Sequence, residues 1–101
     1  MKPFTESVIR IIKQIPSGKV MTYGQIAKHA GSPRGARQVV RILHSMSKKY
    51  SLPWFRVINS KGEIAIEDVE TRAAQVIFLK DEGIEVVNGI IDLKKYQYHP
   101  E

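Results

Sequence analysis

Thr22-Tyr23-Gly24-Gln25-Ile26-Ala27-Lys28-His29-Ala30-Gly31-Ser32-Pro33-Arg34-Gly35-Ala36-Arg37-Gln38-Val39 is the stretch on which the fold turns. Thr22 is a good N-cap for a helix that buries Ile26 and Ala27, and Gly31 is a fitting stop. Ser32-Pro33 predicts an immediate restart, since Pro suits the first helical position behind a Ser cap. Val39, Val40, Leu43 and Met46 supply the buried face of this second helix. Two helices joined by a short, Gly-containing turn form a helix-turn-helix. Arg34, Arg37 and Arg41 recur at spacings of three and four and so share one face, which Gly35 and Ala36 keep low enough to approach a phosphate backbone. A plain solvated basic face is the alternative.

Upstream, Val8, Ile9, Ile11, Ile12 and Ile15 recur at helical spacing behind Thr5 as N-cap, with Pro16-Ser17-Gly18 as the stop. Val20-Met21 reads as a short extended segment. Downstream, Lys48-Lys49-Tyr50-Ser51 reads as a polar loop into Leu52–Ile58, where Pro53 forbids further helix. Asn59-Ser60-Lys61-Gly62 is a turn, and Glu63-Ile64-Ala65-Ile66 is expected to return as the second strand of a hairpin, a wing. Ala73, Ala74, Val76, Ile77 and Leu79 mark a fourth helix ending at Gly83, with Asp81 and Glu82 oddly acidic for a helix C-terminus. Asn88-Gly89 between apolar runs predicts a second hairpin. The expected fold class is α+β, mainly α: a single winged helix-turn-helix-like domain over residues 1–101 with short β-hairpins.

Charge is divided along the chain. Residues 1–50 hold ten Lys and Arg against one acid, Glu6, whereas residues 51–101 hold six against nine. The basic half is suited to a polyanion, most simply nucleic acid. With no Cys among 101 residues, thiol chemistry and thiolate metal sites are excluded. His29, His44 and His99 are scattered over different elements without metal-ligand spacing, so neither a metal nor a cofactor is expected. No phosphate-binding loop, Ser-His-Asp set or paired carboxylates emerge, which argues against a catalytic centre. The apolar runs are too short for a membrane span and the N-terminus lacks a signal-peptide core, so a cytoplasmic location is expected. Trp54-Phe55, bracketed by Pro53 and Arg56, reads either as a pair of core anchors or as a stacking surface for an exposed base.

Thr22–Ala27, Gly31–Val39 and Pro53-Trp54-Phe55-Arg56-Val57-Ile58, in this order and spacing, resemble the DNA-binding domain of the O6-alkylguanine-DNA alkyltransferases. The family's reactive motif reads Pro-Cys-His-Arg-Val; here Trp54 stands at the cysteine and Phe55 at the histidine base, the pattern of the alkyltransferase-like proteins. The resemblance implies a protein without transferase activity that binds double-stranded DNA containing O6-alkylguanine and flags it for nucleotide excision repair proteins. It implies that Tyr23 rotates the target nucleotide by crowding its 3′ phosphate and that Arg37 fills the vacated place in the stack. Arg34, Gly35 and Ala36 would bring the second helix into the minor groove, with Ser60 and Lys61 as further backbone contacts. The lesion pocket would consist of Leu43, Val57 and Ile64 with Trp54 near the O6 substituent. Arg56 would either contact the site or brace it. Met46 falls where transferases carry an Asn. A monomer is expected. Two other classes remain: a winged-helix transcription regulator or general DNA-binding protein, and a hydrolase or lyase removing the damage by another route.

Overall fold

Three helices pack their apolar stripes together to form the first half of the molecule. The computed structural model describes residues 1–100, and its elements are α1 (Pro3–Lys13), β1 (Met21–Thr22), α2 (Tyr23–His29), α3 (Ala36–Tyr50), a 3-10 turn (Trp54–Arg56), β2 (Val57–Ile58), α4 (Val69–Asp81) and α5 (Leu93–Tyr96). The architecture is mainly helical with one small sheet. Val8 and Ile12 of α1, Ile26 and Ala27 of α2, and Val39 and Leu43 of α3 form one buried cluster. Ile58, Leu79, Ile84, Ile91 and Tyr96 form a second, beneath α4.

α1 starts two residues before the expected cap: Pro3 takes the first turn, where its fixed φ and missing N–H cost nothing. α2 is capped as its sequence requires. Thr22 Oγ1 accepts from Gln25 N–H (3.0 Å) while Gln25 Oε1 accepts from Thr22 N–H (3.2 Å), a reciprocal capping box. The helix closes with Ser32 N–H on the Ala27 carbonyl (2.9 Å).

The restart of α3 differs from the expectation. Gly35 N–H donates to the Ser32 carbonyl (2.8 Å), so Pro33 and Arg34 are the corners of a turn and the helix begins only at Ala36. Gly35 caps it because the close packing leaves no room for a larger residue: a Cβ there would stand 2.9 Å from the Phe4 ring and 3.1 Å from the Ser32 carbonyl oxygen. Gly35 is thus required by packing. Gly35→Ala is expected to lower stability by about 1–3 kcal/mol through overpacking. An unchanged thermal midpoint would reject this. α3 also runs on through Lys48–Tyr50, where a loop was expected, until Ser51 turns left-handed (φ 51°).

The wing expected over residues 57–66 is not made. β2 pairs in parallel with β1, Met21 opposite Val57 and Thr22 opposite Ile58, so α2 and α3 form the crossover between two parallel strands. The Val57 carbonyl accepts from Gln75 Nε2 of α4 (3.1 Å), which occupies the group a returning strand would need. The chain after Asn59 instead pairs with residues 89–91: Ile64 N–H donates to the Gly89 carbonyl and Ile91 N–H to the Gly62 carbonyl, both at 2.8 Å. Gly62 is obligatory there, with φ +72° and room for no Cβ against the Ile91 carbonyl. The Asn88-Gly89 turn forms as expected, both residues at positive φ, but it closes a single Val87–Ile90 bridge, and Leu93 opens α5 where a strand was expected.

Candidate nucleic-acid interface

Tyr23 is held at the first position of α2 by the Thr22 capping box. The same Gln25 donates its amide to the Tyr98 carbonyl and accepts from Gln97 Nε2 (2.9 Å), locking this corner to the C-terminal segment. Burial raises the pKa of Tyr23 above its ordinary value of 10.0, so its phenol, already neutral at physiological pH, is further from ionising. On α3, Val39, Ile42 and Leu43 face inward, while Arg37 and Arg41 are exposed on the opposite side. Arg34 is also exposed, but from the turn ahead of the helix, so the three arginines do not form one helical face.

Tyr23, Leu43, His44, Trp54, Ile66 and Thr71 line a cavity of about 240 Å³, where α2, α3, the 3-10 turn and α4 meet. It shares Tyr23, Val40, His44 and Ile66 with an adjoining cavity of about 530 Å³, whose far wall includes Val57, Asn59, Glu63, Glu67, Asp68 and Gln75. Trp54 is half-buried: it packs on the first core, as the anchor reading expects, and also lines the cavity. Its ring meets Phe55 edge-on at 5.9 Å and Phe78 at 6.2 Å, with Phe55 and Phe78 5.1 Å apart. Such edge-to-face packing orients the indole at the cavity wall.

Of the residues expected to line a lesion pocket, some are brought together and others are not. Leu43 and Trp54 lie together with Tyr23, and Val57 lines the adjoining cavity. Ile64 lines neither: pairing of residues 62–64 with 89–91 buries it in the second core, and Ile66 lines both cavities instead. Ser60 and Lys61 are exposed in a turn fixed by Asn59 Oδ1, which accepts from Lys61 N–H (3.0 Å) and Glu63 N–H (2.9 Å), and they line neither cavity.

Arg56 braces the site. Its Nε donates to Glu82 Oε1 (2.9 Å), its Nη2 to Glu82 Oε2, and its Nη1 to the Ile15 carbonyl (2.9 Å). Glu82 also accepts from Gly18 N–H (3.1 Å), so one ion pair ties α1's exit, the 3-10 turn and the end of α4. This accounts for Glu82 at the acidic end of α4.

His44 and Gln75 were missed in the sequence. His44 follows Arg37 and Arg41 by seven and three residues, so helical periodicity alone puts it on their side of α3. Gln75 gave no such signal, since its partners are the Phe55 and Val57 carbonyls, both at 3.1 Å. Among the described residues no group of three or more His, Cys, Asp or Glu could hold a metal ion, and no helix is long and apolar enough to cross a membrane.

Residues 3–84 match the family model of the 6-O-methylguanine DNA methyltransferase DNA-binding domain. The chain belongs to this family. Within the methyltransferase-domain family, it is 45% identical over 103 residues to a DNA base-flipping protein of Vibrio parahaemolyticus, covering 99% of this chain and all of the relative. It is 35% identical over 106 residues to alkyltransferase-like protein 1 of Schizosaccharomyces pombe, covering 99% and 98%. The crystal structure of that S. pombe protein with damaged DNA containing O6-carboxymethylguanine superposes with a TM-score of 0.88 at 35% identity, over 99% of this chain and 98% of the other. The resemblance to alkyltransferase-like proteins thus extends over the whole domain fold.

Proposed function

We propose that this protein recognises O6-alkylguanine in double-stranded DNA without transferring the alkyl group. One observation carries the reading: Tyr23 and Trp54 bound a cavity on the flank of α3, and the same helix presents Arg37 to solvent. Phosphate contacts from the basic half give affinity without sequence readout. Extruding a nucleotide costs a few kcal/mol, and less where an O6-alkyl group has already weakened the pair. The neutral Tyr23 phenol crowds the phosphate without repelling it, Arg37 fills the gap in the stack, and the flipped base enters between Tyr23, Leu43 and Trp54. The protein acts as a cytoplasmic monomer from one domain, and nucleotide excision repair proteins read the complex.

Tryptophan fluorescence tests this, because Trp54 is the sole Trp. In titrations with matched duplexes, O6-methylguanine is expected to bind much more tightly than guanine and to change the Trp54 signal. Binding of both should weaken steeply with salt through counterion release. Equal binding of the two duplexes would reduce α3 to a general DNA-binding surface and favour a transcription-regulator reading.

Transfer needs a thiolate and a base to make it. Trp54→Cys supplies the thiol alone, since Phe55 still stands at the base position. No stoichiometric alkylation of this variant is expected by mass spectrometry after incubation with lesion duplex; a quantitative alkyl adduct on residue 54 would overturn that.

A further inference from the structure

Resting on the lesion-recognition reading, we infer that this site selects among O6 adducts by charge, taking neutral or cationic substituents and turning away anionic ones. The two joined cavities have walls of opposite character. Around Trp54 the lining is apolar or neutral, with Val40, Leu43, Ile66 and Thr71. Beyond Ile66 it becomes acidic, with Glu63, Glu67 and Asp68 on the wall of the larger cavity. No Lys or Arg lines either, and His44 is the one side chain there that can carry a positive charge.

Among the described residues Glu63 and Glu67 are in no salt bridge, and Asp68 feels Arg72 only as a minor Coulombic attraction. Arg72, the nearby cation of α4, donates Nη1 to the Ile66 carbonyl (2.9 Å) and lines neither cavity. Asp68 Oδ2 accepts from the Thr71 N–H (2.9 Å) and hydroxyl (2.6 Å), so this carboxylate sits one hydrogen bond from the Trp54 cavity. These bonds hold its carboxyl below the usual range and keep it ionised.

A flipped guanine whose O6 group carries a carboxylate would bring a fourth negative charge against this wall, where Glu63 is half-buried and Glu67 and Asp68 are exposed. Coulomb repulsion from the half-buried Glu63 is screened less than in bulk water. An uncharged group of the same shape meets no such barrier, and a cationic one is attracted. The phosphates of the flipped nucleotide are the same in every duplex and cancel in a ratio. The adduct in the S. pombe complex, O6-carboxymethylguanine, is of the class this chain would reject.

The test uses matched duplexes holding guanine, O6-methylguanine, O6-carboxymethylguanine or its neutral isostere, O6-carbamoylmethylguanine, titrated against the full-length protein and the Glu63→Gln/Glu67→Gln variant. The wild type is expected to prefer the carbamoylmethyl over the carboxymethyl duplex by roughly tenfold. In the variant that ratio should fall towards one while the preference for O6-methylguanine over guanine persists. A wild-type ratio near one, with O6-methylguanine still preferred over guanine, overturns charge selection and leaves the recognition reading standing. A ratio unchanged in the variant also overturns it. Loss of preference for every adduct over guanine in the wild type overturns both.

Discussion

Arg56→Ala is expected to cost this protein about 3–5 kcal/mol of stability. The guanidinium and Glu82 side chains are only 18% and 13% exposed, so removing one leaves its partner charged and largely dehydrated. The variant also orphans the Ile15 carbonyl and leaves Glu82 with the Gly18 N–H but no cation. In a domain whose whole stability is about 5–15 kcal/mol, this is a shift of about 15–30 °C in Tm. Arg56→Lys should recover little, because an ammonium lacks the planar fork that meets both carboxylate oxygens. A melting temperature for Arg56→Ala within about 2 °C of wild type would show the pair to be dispensable.

The same pair sets an acid limit. Hydrogen bonding from Arg56 is the main reason that the Glu82 carboxyl lies below its ordinary value of 4.5. A carboxyl lowered by folding stabilises the native state at pH values above its unfolded value and loses that contribution as pH falls through the folded one. Wild type should therefore shed stability below about pH 4.5, and Glu82→Gln should lack that component while being weaker at neutral pH. Urea titrations at pH 7 and pH 3 give both numbers.

Arg37→Ala is expected to cut the preference for O6-methylguanine over guanine by about 10–100-fold while costing intact DNA only a few-fold. The asymmetry follows from the role. An exposed arginine that only meets a phosphate releases one counterion on either duplex, so its removal weakens both alike. A planar cation standing in for an extruded base stacks on its neighbours and bonds to the orphaned partner, and those interactions exist only once the base has left. Tyr23→Ala should reduce extrusion, read from a fluorescent base analogue beside the lesion. Tyr23→Phe separates the ring, which does the crowding, from the hydroxyl, and should keep most of it. Equal loss on damaged and intact duplex in Arg37→Ala would assign Arg37 to the phosphate backbone.

What the sequence showed and what it hid divide along the range of the interactions. The Thr22–Gln25 capping box, the stop after His29 and the Asn88-Gly89 turn are made by neighbours in the chain, and all were readable. The late start of α3 was not, since it depends on Phe4 packing against Gly35 from another helix. The missing wing is of the same kind: alternation in residues 57–66 says that a segment is extended and not which edge it joins, and Gln75 and residues 89–91 make that choice. Ile64 followed the strand into the second core for that reason, leaving Ile66 to the cavity. Arg56 could be read two ways because its partner lies 26 residues on, although a Glu at a helix end that disfavours acids was itself a hint.

The parallel pairing of β1 with β2 settles how much work the site must do on meeting DNA. Tyr23 follows directly on Thr22 and Trp54 lies three residues before Val57, so both jaws of the cavity are bolted to one four-residue clasp, Met21-Thr22 against Val57-Ile58. All four of those residues are buried, and so the gape between tyrosine and tryptophan is set when the chain folds. A cavity whose walls are set on folding spends nothing on assembling itself. The binding energy gathered along the basic face is then left for the one task that resists, pulling a nucleotide out of its stack.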